Sequence, residues 1–379
     1  MSETVTITGD HPSFQSFQTI PQQGSGPGLI FISENYNITK EIEQEAIQLS
    51  EEGYVVHVPD LSNISPDDDK MILCMKSVIT YLNKIPKKVG KIGIIGRGYG
   101  GYIILKLFES LSNLFDCMII YYPKNIENKM IDNLNIKIPF MIHLIDDNDK
   151  SLKNDNKFIE VYKYPNANYG FASITENFDK SSSGMAYSRT LTILKKTIGP
   201  IYDLNALWDK HIEYEFETKD VHKTMETMVS EPYVNHIPTM TGGVGYDHLF
   251  RFYKYYFVNS NPPDTRIIPI SRTVGTDCIV DEMIFSFTHT QQIDWILPGI
   301  SPTNKFVEIP LVAIVKFRGN KLYNEHIYWD QASVLVQIGL LSKEGLPITG
   351  GEQVKKLLDN SIPSNRLINS WSETLKKEI

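Results

Sequence analysis

The glycine-rich segment Gly96–Gly101 (GRGYGG) is the first place in the sequence where residue types and spacing suggest chemistry. It follows an apolar run and precedes a stretch of helical spacing, so it predicts a strand-to-helix turn. One interpretation is a dinucleotide-binding loop. That loop needs an acid at the end of the next strand, and the nearest acid, Asp116, precedes that strand. The favoured interpretation is a turn that raises a nucleophile above the sheet edge, with Gly98 at the nucleophile's position.

The segment Lys321–Asp330 (KLYNEHIYWD) is the second candidate. Period-two alternation places His326, Tyr328 and Asp330 on one face of a predicted strand, and His289 ends a neighbouring strand rich in Phe. Carboxylate, imidazole and phenol in an apolar cavity suit general acid/base catalysis. The alternative is structural: Asp330 would cap the following helix, and the two histidines would be hydrogen-bonded core residues.

Alternating strands and helices are predicted from residue 28 to about residue 197, and they must position the glycine turn. Short apolar runs separated by helical spacing favour a mostly parallel sheet with helices on both faces. The predicted strands are 28–33, 54–60, 91–96, 117–123, 139–145 and 158–164.

The pattern changes after GPIYD (199–203), which predicts a domain boundary. Helices over 204–229 and 245–257 precede four strands with period-two alternation, an α+β order in which a curved antiparallel sheet wraps helices. The four strands are 265–275, 279–289, 305–317 and 321–330. The expected divisions are an N-terminal arm (1–27), an α/β domain (28–200), an α+β domain (201–343) and a polar helical tail (344–379).

The composition of the 379 residues is typical of a globular protein, with 41% hydrophobic and 22% charged residues. A net charge of −8 disfavours nucleic acid and anionic membrane as partners. Cys74, Cys117 and Cys278 are widely spaced, so they predict neither a disulfide framework nor a metal site, and the first two are expected in the core. With no leader or apolar span evident, we expect a cytoplasmic protein.

Further segments accompany the glycine turn: Ser33–Asn35, Glu52–Tyr54, Val58–Leu61 and Tyr164–Phe171 (YPNANYGF). Together they resemble the dienelactone hydrolase (carboxymethylenebutenolidase) family of the α/β-hydrolase fold, over roughly residues 28–197. The resemblance implies an α/β hydrolase-like domain with a covalent nucleophile.

Two positions depart from that family's pattern. The family has a cysteine where Gly98 stands and a histidine where Tyr169 stands, whereas its glutamate corresponds to Glu34. Glycine has no nucleophile, and a phenol with a pKa near 10 is a poor base at neutral pH, so we expect a degenerate site. The candidates for the family's acid are Asp146, Asp147 and Asp149.

Leu297–Gly299, Gly319–Lys321 and Glu325–Asp330, followed by Gln337–Gly339, resemble SnoaL-like polyketide cyclases and the wider nuclear-transport-factor-2-like cone fold. The resemblance covers about residues 203–341 and places Asp330 at the acid/base position, with His326 as its partner. This fold also hosts binding and dimerisation domains.

The expected function is therefore binding of a small, apolar molecule that carries a carbonyl or carboxylate, with acid/base catalysis in the C-terminal domain as an open question. Tyr99, Tyr328 and Trp295 are candidate binding residues, although Trp295 fits packing equally well. The alternatives are an ester or lactone hydrolase with an unrecognised nucleophile, and a scaffold that dimerises through the cone domain. We expect no cofactor and no metal.

Overall fold

The computed structural model describes residues 2–64, 68–124, 135–145 and 156–374. The chain divides into two compact units, Met1–Tyr202 and Asp203–Ile379, with the boundary beside Gly199-Pro200. Each unit has its own sheet. Within the described residues, no helix combines the length and apolar character needed to cross a bilayer.

The N-terminal unit is built on an eight-stranded sheet with the order β1-β2-β4-β3-β5-β6-β7-β8. The strands from β3 onward pair in parallel, and β1 and β2 are antiparallel. The strands are β1 Ser2–Gly9, β2 His11–Thr19, β3 Gly26–Ile32, β4 Val55–Pro59, β5 Lys88–Arg97, β6 Cys117–Tyr121, β7 Phe140–Ile145 and β8 Ile159–Tyr164. The helices are α1 Lys40–Glu51, α2 Asp68–Lys84, α3 Tyr99–Lys106, α4 Phe108–Leu111 and α5 Lys180–Ile198.

Two hydrophobic cores cover the two faces of this sheet. Along β3, Ile30 and Ile32 pack in the core that contains α2, while Leu29 and Phe31 pack in the core that contains α1 and α5. The central strands are buried on both faces, which is why they appear in the sequence as uninterrupted apolar runs. The expected parallel α/β architecture is present.

Residues 1–27 were expected to be an arm, but the structure places a β-hairpin there. Strands β1 and β2 pair with each other, and β2 extends the sheet by pairing with β4. Strand β1 forms the edge of the sheet, and most of its side chains are exposed. Strand β2 is an inner strand that buries Phe14 in one core and Phe17 in the other.

The C-terminal unit begins with helices and continues as a six-stranded sheet with the order β10-β9-β14-β13-β12-β11. All neighbours are antiparallel except β9 and β14. The helices are α6 Leu204–Ile212, α7 Val221–Glu226, α8 Tyr246–Phe252, α9 Gln331–Gln337, α10 Glu352–Leu358 and α11 Trp371–Thr374, with π-helical turns at Glu213–Glu217 and Tyr253–Phe257. The strands are β9 Met228–His236, β10 Thr241–Val244, β11 Arg266–Val274, β12 Cys278–Thr288, β13 Phe306–Arg318 and β14 Lys321–Trp329.

Strands β9 and β10 were not predicted, and the helix expected over 204–229 is three shorter pieces. Pro232 lies inside β9, and Gly242 and Gly243 form the middle of β10, so local propensity argues against strands there. The two strands pair with each other, and β9 also pairs with β14. These pairings override the local propensity.

The tail after residue 343 docks on the C-terminal unit through α10. Val354 is buried, and Gln353 Nε2 donates a hydrogen bond to Asp330 Oδ2 at 2.5 Å. The polar helical tail expected from the sequence therefore packs through one helix.

Candidate functional site

A cavity of about 40 Å³ lies inside the C-terminal unit, between the sheet and its helices. Its wall is mainly aromatic and aliphatic. The lining residues are Trp208, Ile212, Glu215, Phe216, Val234, His236, Tyr253, Phe257, Ile267, Met283, Phe285, Trp295, Leu311, Ala313, Glu325 and Ile327.

Three buried ionisable side chains meet at one end of this cavity: His211, Glu215 and Glu325, here named the His–Glu–Glu cluster. His211 Nε2 lies 3.0 Å from Glu215 Oε1 and 3.2 Å from Glu325 Oε1. On its other side, His211 Nδ1 lies 2.6 Å from Thr227 Oγ1. Thr227 Oγ1 donates its own proton to Thr224 O, so it must accept the bond from Nδ1–H.

The Tyr253 hydroxyl is also buried at this end; it makes no hydrogen bond of normal geometry with a described residue, although the carboxylates of Glu215 and Glu325 lie near enough to interact with it. Burial and the nearby carboxylates of Glu215 and Glu325 raise the pKa of Tyr253 well above its usual value, so the phenol is protonated. It remains available as a donor to whatever occupies the cavity.

Electrostatics within the cluster favour charge on the histidine. Burial alone would lower the pKa of His211, but the carboxylates of Glu215 and Glu325 outweigh burial and raise it to about 10. Burial raises the pKa of Glu215, and His211 partly offsets that rise. The cluster is thus a coupled set of groups in a low-dielectric site.

Two π-helical turns supply Glu215 and Tyr253. His211 is on the last turn of α6, and the turn Glu213–Glu217 carries Glu215 onto the same side. The indole of Trp208 stacks on His211 with ring centroids 5.6 Å apart. Wide turns of this kind inside helices are frequent at functional sites.

Most of the residues that the sequence predicted for this unit do not face the cavity. On β14, Glu325, Ile327 and Trp329 are buried, whereas Tyr328 is exposed and His326 is half-buried, packing edge-on against Tyr233 outside the cavity. The alternation was predicted correctly, but the opposite face lines the cavity.

Asp330 and His289 do not line the cavity, and both form hydrogen bonds elsewhere in the unit. Asp330 is the N-cap of α9: Oδ1 accepts from Ala332 N at 3.0 Å, and Oδ2 accepts from Gln353. His289 is buried with Nδ1 3.2 Å from Thr303 Oγ1, and burial lowers its pKa. Trp295 does line the cavity, and its indole N–H donates to Asn261 Oδ1 at 3.0 Å.

The sequence analysis missed all three residues of the His–Glu–Glu cluster. A signal was present in Trp208-x-x-His211-x-x-x-Glu215, which places three side chains on one helical face. Glu325 lies about 110 residues further along the chain, so the spacing rules for metal or catalytic sites could not join it to them.

An outer cavity of about 490 Å³ adjoins the inner one. Four residues, Ile212, Phe216, Ile267 and Met283, line both. The other outer-cavity residues include four acids, Asp209, Glu213, Glu217 and Asp281, against the two bases Lys219 and Arg272. Three of these acids are ion-paired, Asp209 and Asp281 with Arg272 and Glu213 with Lys210, so the outer cavity is a polar approach to the inner one.

The glycine turn of the N-terminal unit joins β5 to α3 as expected. Gly98 has φ +53° and ψ −114°, and its N–H donates to Tyr121 O at 3.0 Å. A Cβ on Gly100 would lie 2.6 Å from Ile32 O, so the helix can approach β3 this closely only without a side chain there.

The space above Gly98 is filled by Tyr169. A Cβ built on Gly98 would overlap Tyr169 Oη and lie 3.3 Å from Glu34 Cγ. The Tyr169 ring packs edge-on against Tyr122 at 5.1 Å, with Lys124 Nζ 4.6 Å from its centre. Burial and the charge of Glu34 raise the pKa of Tyr169 further above 10, so it is a neutral phenol.

Glu34 is held in a buried polar network. Its Oε1 accepts hydrogen bonds from Tyr122 Oη and from Ser173 Oγ, both at 2.5 Å. Ser173 Oγ in turn accepts from Arg97 Nη1 at 3.1 Å, and Arg97 pairs with Glu45 at 2.5 Å. Asp146, Asp147 and Asp149 lie outside the described residues.

Residues 62–198 match the family model described as "Dienelactone hydrolase family". They are a dienelactone hydrolase family domain. Among solved structures, a putative dienelactone hydrolase from Klebsiella pneumoniae is similar at 17% identity and a TM-score of 0.45, covering 52% of this chain and 98% of its own. A dienelactone hydrolase from Anabaena variabilis is similar at 12% identity and a TM-score of 0.43, and the match covers 52% of this chain and 99% of the other. No curated protein sequence matches the chain.

In the dienelactone hydrolase family domain, the backbone amide that follows Gly98 is hydrogen-bonded within the chain. In α/β-hydrolases, the N–H of the residue after the nucleophile supplies one donor of the oxyanion hole. That residue is Tyr99 here, and its N–H donates to Glu34 O at 3.2 Å. Tyr99, a predicted binding residue, lies at the start of α3 with Lys124 Nζ 4.8 Å from its ring centre.

Proposed function

We propose that the protein binds a small, largely apolar molecule in the two adjoining cavities of its C-terminal unit, the inner one of about 40 Å³ and the outer one of about 490 Å³. One observation carries this proposal: a mainly aromatic cavity ends at the buried hydroxyl of Tyr253, which makes no hydrogen bond of normal geometry with a described residue. Buried polar atoms of this kind are satisfied in nearly every protein, so unpaired ones in a cavity point to a ligand.

The lining indicates the ligand's chemistry. An apolar, preferably aromatic body would pack among Trp295, Phe285 and Phe257. The polar end offers the Tyr253 O–H as a donor, which suits a carbonyl or hydroxyl oxygen. A carboxylate, which the sequence left open, is disfavoured because Glu215 and Glu325 already place negative charge there.

The order of helices and mostly antiparallel strands, with a cavity between them, supports the resemblance of this unit to SnoaL-like domains. That assignment is part of the proposal. It places the binding function on the inner face of the sheet, at Glu325 and Ile327, and not on the face of His326.

We further propose that the dienelactone hydrolase family domain has no covalent hydrolase activity. Gly98 supplies no nucleophile, Tyr169 supplies no base at neutral pH, and the amide of Tyr99 is hydrogen-bonded within the chain. The domain would then act as a scaffold.

The ligand proposal can be tested on the full chain with a panel of monocyclic and bicyclic aromatic ketones and phenols. Binding would be followed by a rise in the thermal unfolding midpoint and by quenching of tryptophan fluorescence, since Trp208 and Trp295 line the cavity.

Ala313→Val would fill space in the cavity and should weaken binding of the best compound about tenfold or more. Ala206→Val, an exposed alanine on α6, is the matched control and should leave binding unchanged. Equal binding by both variants would show that the compound binds elsewhere.

A further inference from the structure

The His–Glu–Glu cluster has the spacing of ligands around a divalent metal ion. Metal–ligand bonds of about 2.0–2.2 Å place neighbouring ligand atoms roughly 3 Å apart in octahedral or tetrahedral geometry. His211 Nε2 lies 3.0 Å from Glu215 Oε1 and 3.2 Å from Glu325 Oε1, and the three ligand atoms all lie within 4.8 Å of one another.

The imidazole is already oriented as a metal ligand requires. Metal-binding histidines almost always donate their second N–H to an oxygen acceptor, which holds the ring and leaves the other nitrogen for the metal. Here Nδ1–H donates to Thr227 Oγ1 at 2.6 Å, and Thr227 is itself anchored on Thr224 O. Nε2 therefore faces the two carboxylates.

The donor set of the cluster also suits a transition-metal ion. All three side chains are buried, and one imidazole nitrogen with two carboxylate oxygens is a set of ligands that Zn²⁺, Mn²⁺ and Fe²⁺ accept.

A second, independent observation points to a bound group at this end of the cavity. The Tyr253 hydroxyl, with its residue only 1% exposed, lies close enough to Glu215 and Glu325 to feel both charges, yet it makes no hydrogen bond of normal geometry with a described residue. An ion held by the two carboxylates, or a water on that ion, would give this hydroxyl a neighbour.

The outer cavity supplies an access path for an ion. Four of its lining residues, Ile212, Phe216, Ile267 and Met283, also line the inner cavity, so the two adjoin there.

We propose that His211, Glu215 and Glu325 bind a divalent first-row transition-metal ion of the Mn²⁺, Fe²⁺ or Zn²⁺ class, with Tyr253 beside the coordination positions that open to the cavity. The imidazole ligand favours these ions over Mg²⁺ and Ca²⁺, which prefer oxygen ligands alone. The ion site does not depend on the organic ligand proposed above.

The test uses the full chain after treatment with a chelator and desalting. Zn²⁺ and Mn²⁺ alone are added in separate equilibrium dialysis experiments, and bound metal per chain is measured by elemental analysis. We expect saturable binding of one ion per chain, with a rise in the thermal unfolding midpoint of the C-terminal unit.

Glu215→Gln and Glu325→Gln preserve side-chain shape and remove one charge each, so each should weaken binding at least about tenfold and abolish the thermal shift. Thr227→Val leaves the three ligands in place and removes the acceptor for Nδ1–H, so it should weaken binding about 10–100-fold. The Thr227→Val variant therefore tests the proposal even if a glutamate variant fails to fold.

The control variants are His326→Gln, on the opposite face of β14, and Glu226→Gln, an exposed glutamate on α7. Both should bind the ion as the wild type does. Absence of one-to-one binding, or equal affinity in the cluster variants and the controls, would overturn the proposal. Ketone binding that survives in the metal-free protein would leave the ligand proposal standing on its own.

Discussion

The hydroxyl of Tyr169 occupies the space in which a side chain on Gly98 would begin. The resemblance seen in the sequence places a nucleophile and its base at these two positions. Because the Tyr169 hydroxyl fills the space beside Gly98, a side chain introduced at Gly98 should strain the domain as long as Tyr169 keeps its hydroxyl.

Gly98→Ala should destabilise the N-terminal unit by about 2 kcal/mol or more, because a Cβ at φ +53° is strained and also collides with Tyr169 Oη. The double variant Gly98→Ala/Tyr169→Phe removes the colliding oxygen and should recover part of that loss. Denaturant unfolding of the single and double variants measures this coupling.

Gly184→Ala is the control for this experiment. A Cβ there meets nothing within 4 Å, and Gly184 lies inside α5, so the variant should be stabilised by about 0.5–1 kcal/mol. Additive effects of the Gly98 and Tyr169 changes would contradict the steric coupling.

The N-terminal fold could be predicted from the sequence to within a few residues at most strand ends, because strands buried on both faces give apolar runs that helices interrupt. The hairpin before β3 could not, since its buried positions include the polar residues Ser16, Gln18 and Thr19, which give no apolar run. Strands β9 and β10 were missed because their stability comes from pairing with each other and with β14, which lies about 90 residues away.

Which face of β14 lines the cavity could not be predicted for a related reason. Alternation separates Glu325 from His326, but it does not say which of them points inward. That is decided by pairing: Glu325 lies opposite Val315 of β13, a fully buried residue, while His326 lies opposite Ile314. A sequence pattern has no access to that register.

Asp330→Ala should destabilise the C-terminal unit by about 1 kcal/mol, because Asp330 caps α9 and also accepts from Gln353 of the tail. Asp330→Asn keeps a side-chain oxygen for the cap and should cost less. Thermal unfolding measures both, and neither should alter ligand binding in the cavity. If either variant lost ligand binding while its stability stayed unchanged, Asp330 would take part in binding after all.

Acid should destabilise the N-terminal unit through His143. Burial first, and then the charge of Arg189, lower the folded-state pKa of His143 to about 3, below the unfolded value near 6.5. The contribution of the neutral His143 to the free energy of unfolding is complete above pH 6.5. It is lost as pH falls toward 3, at up to about 1.4 kcal/mol per pH unit.

His143→Gln can still bond with Tyr164 and Thr190, and it should flatten the decline in unfolding free energy between pH 6 and pH 4. His248→Gln, on an exposed residue of α8, should leave the slope as it is. An unchanged slope in His143→Gln would show that other groups dominate the acid response.

Tyr253→Phe separates stability from binding in the C-terminal cavity. The Tyr253 hydroxyl is buried and makes no hydrogen bond of normal geometry with a described residue, and such a group costs about 1–3 kcal/mol. Its removal should leave the metal-free, ligand-free protein as stable as the wild type or more stable by up to that amount. The same change should weaken ketone binding, because the donor at the polar end is lost.

The measurement is chemical unfolding of the metal-free protein, together with ketone affinity from fluorescence quenching. Tyr233→Phe is the matched control, since Tyr233 packs against His326 outside the cavity and should affect neither stability nor binding by much. Destabilisation by Tyr253→Phe of more than about 1 kcal/mol would mean that the hydroxyl makes a hydrogen bond in the free protein. In that case the cavity would end at a satisfied polar network, and the main argument for a ligand there would fall.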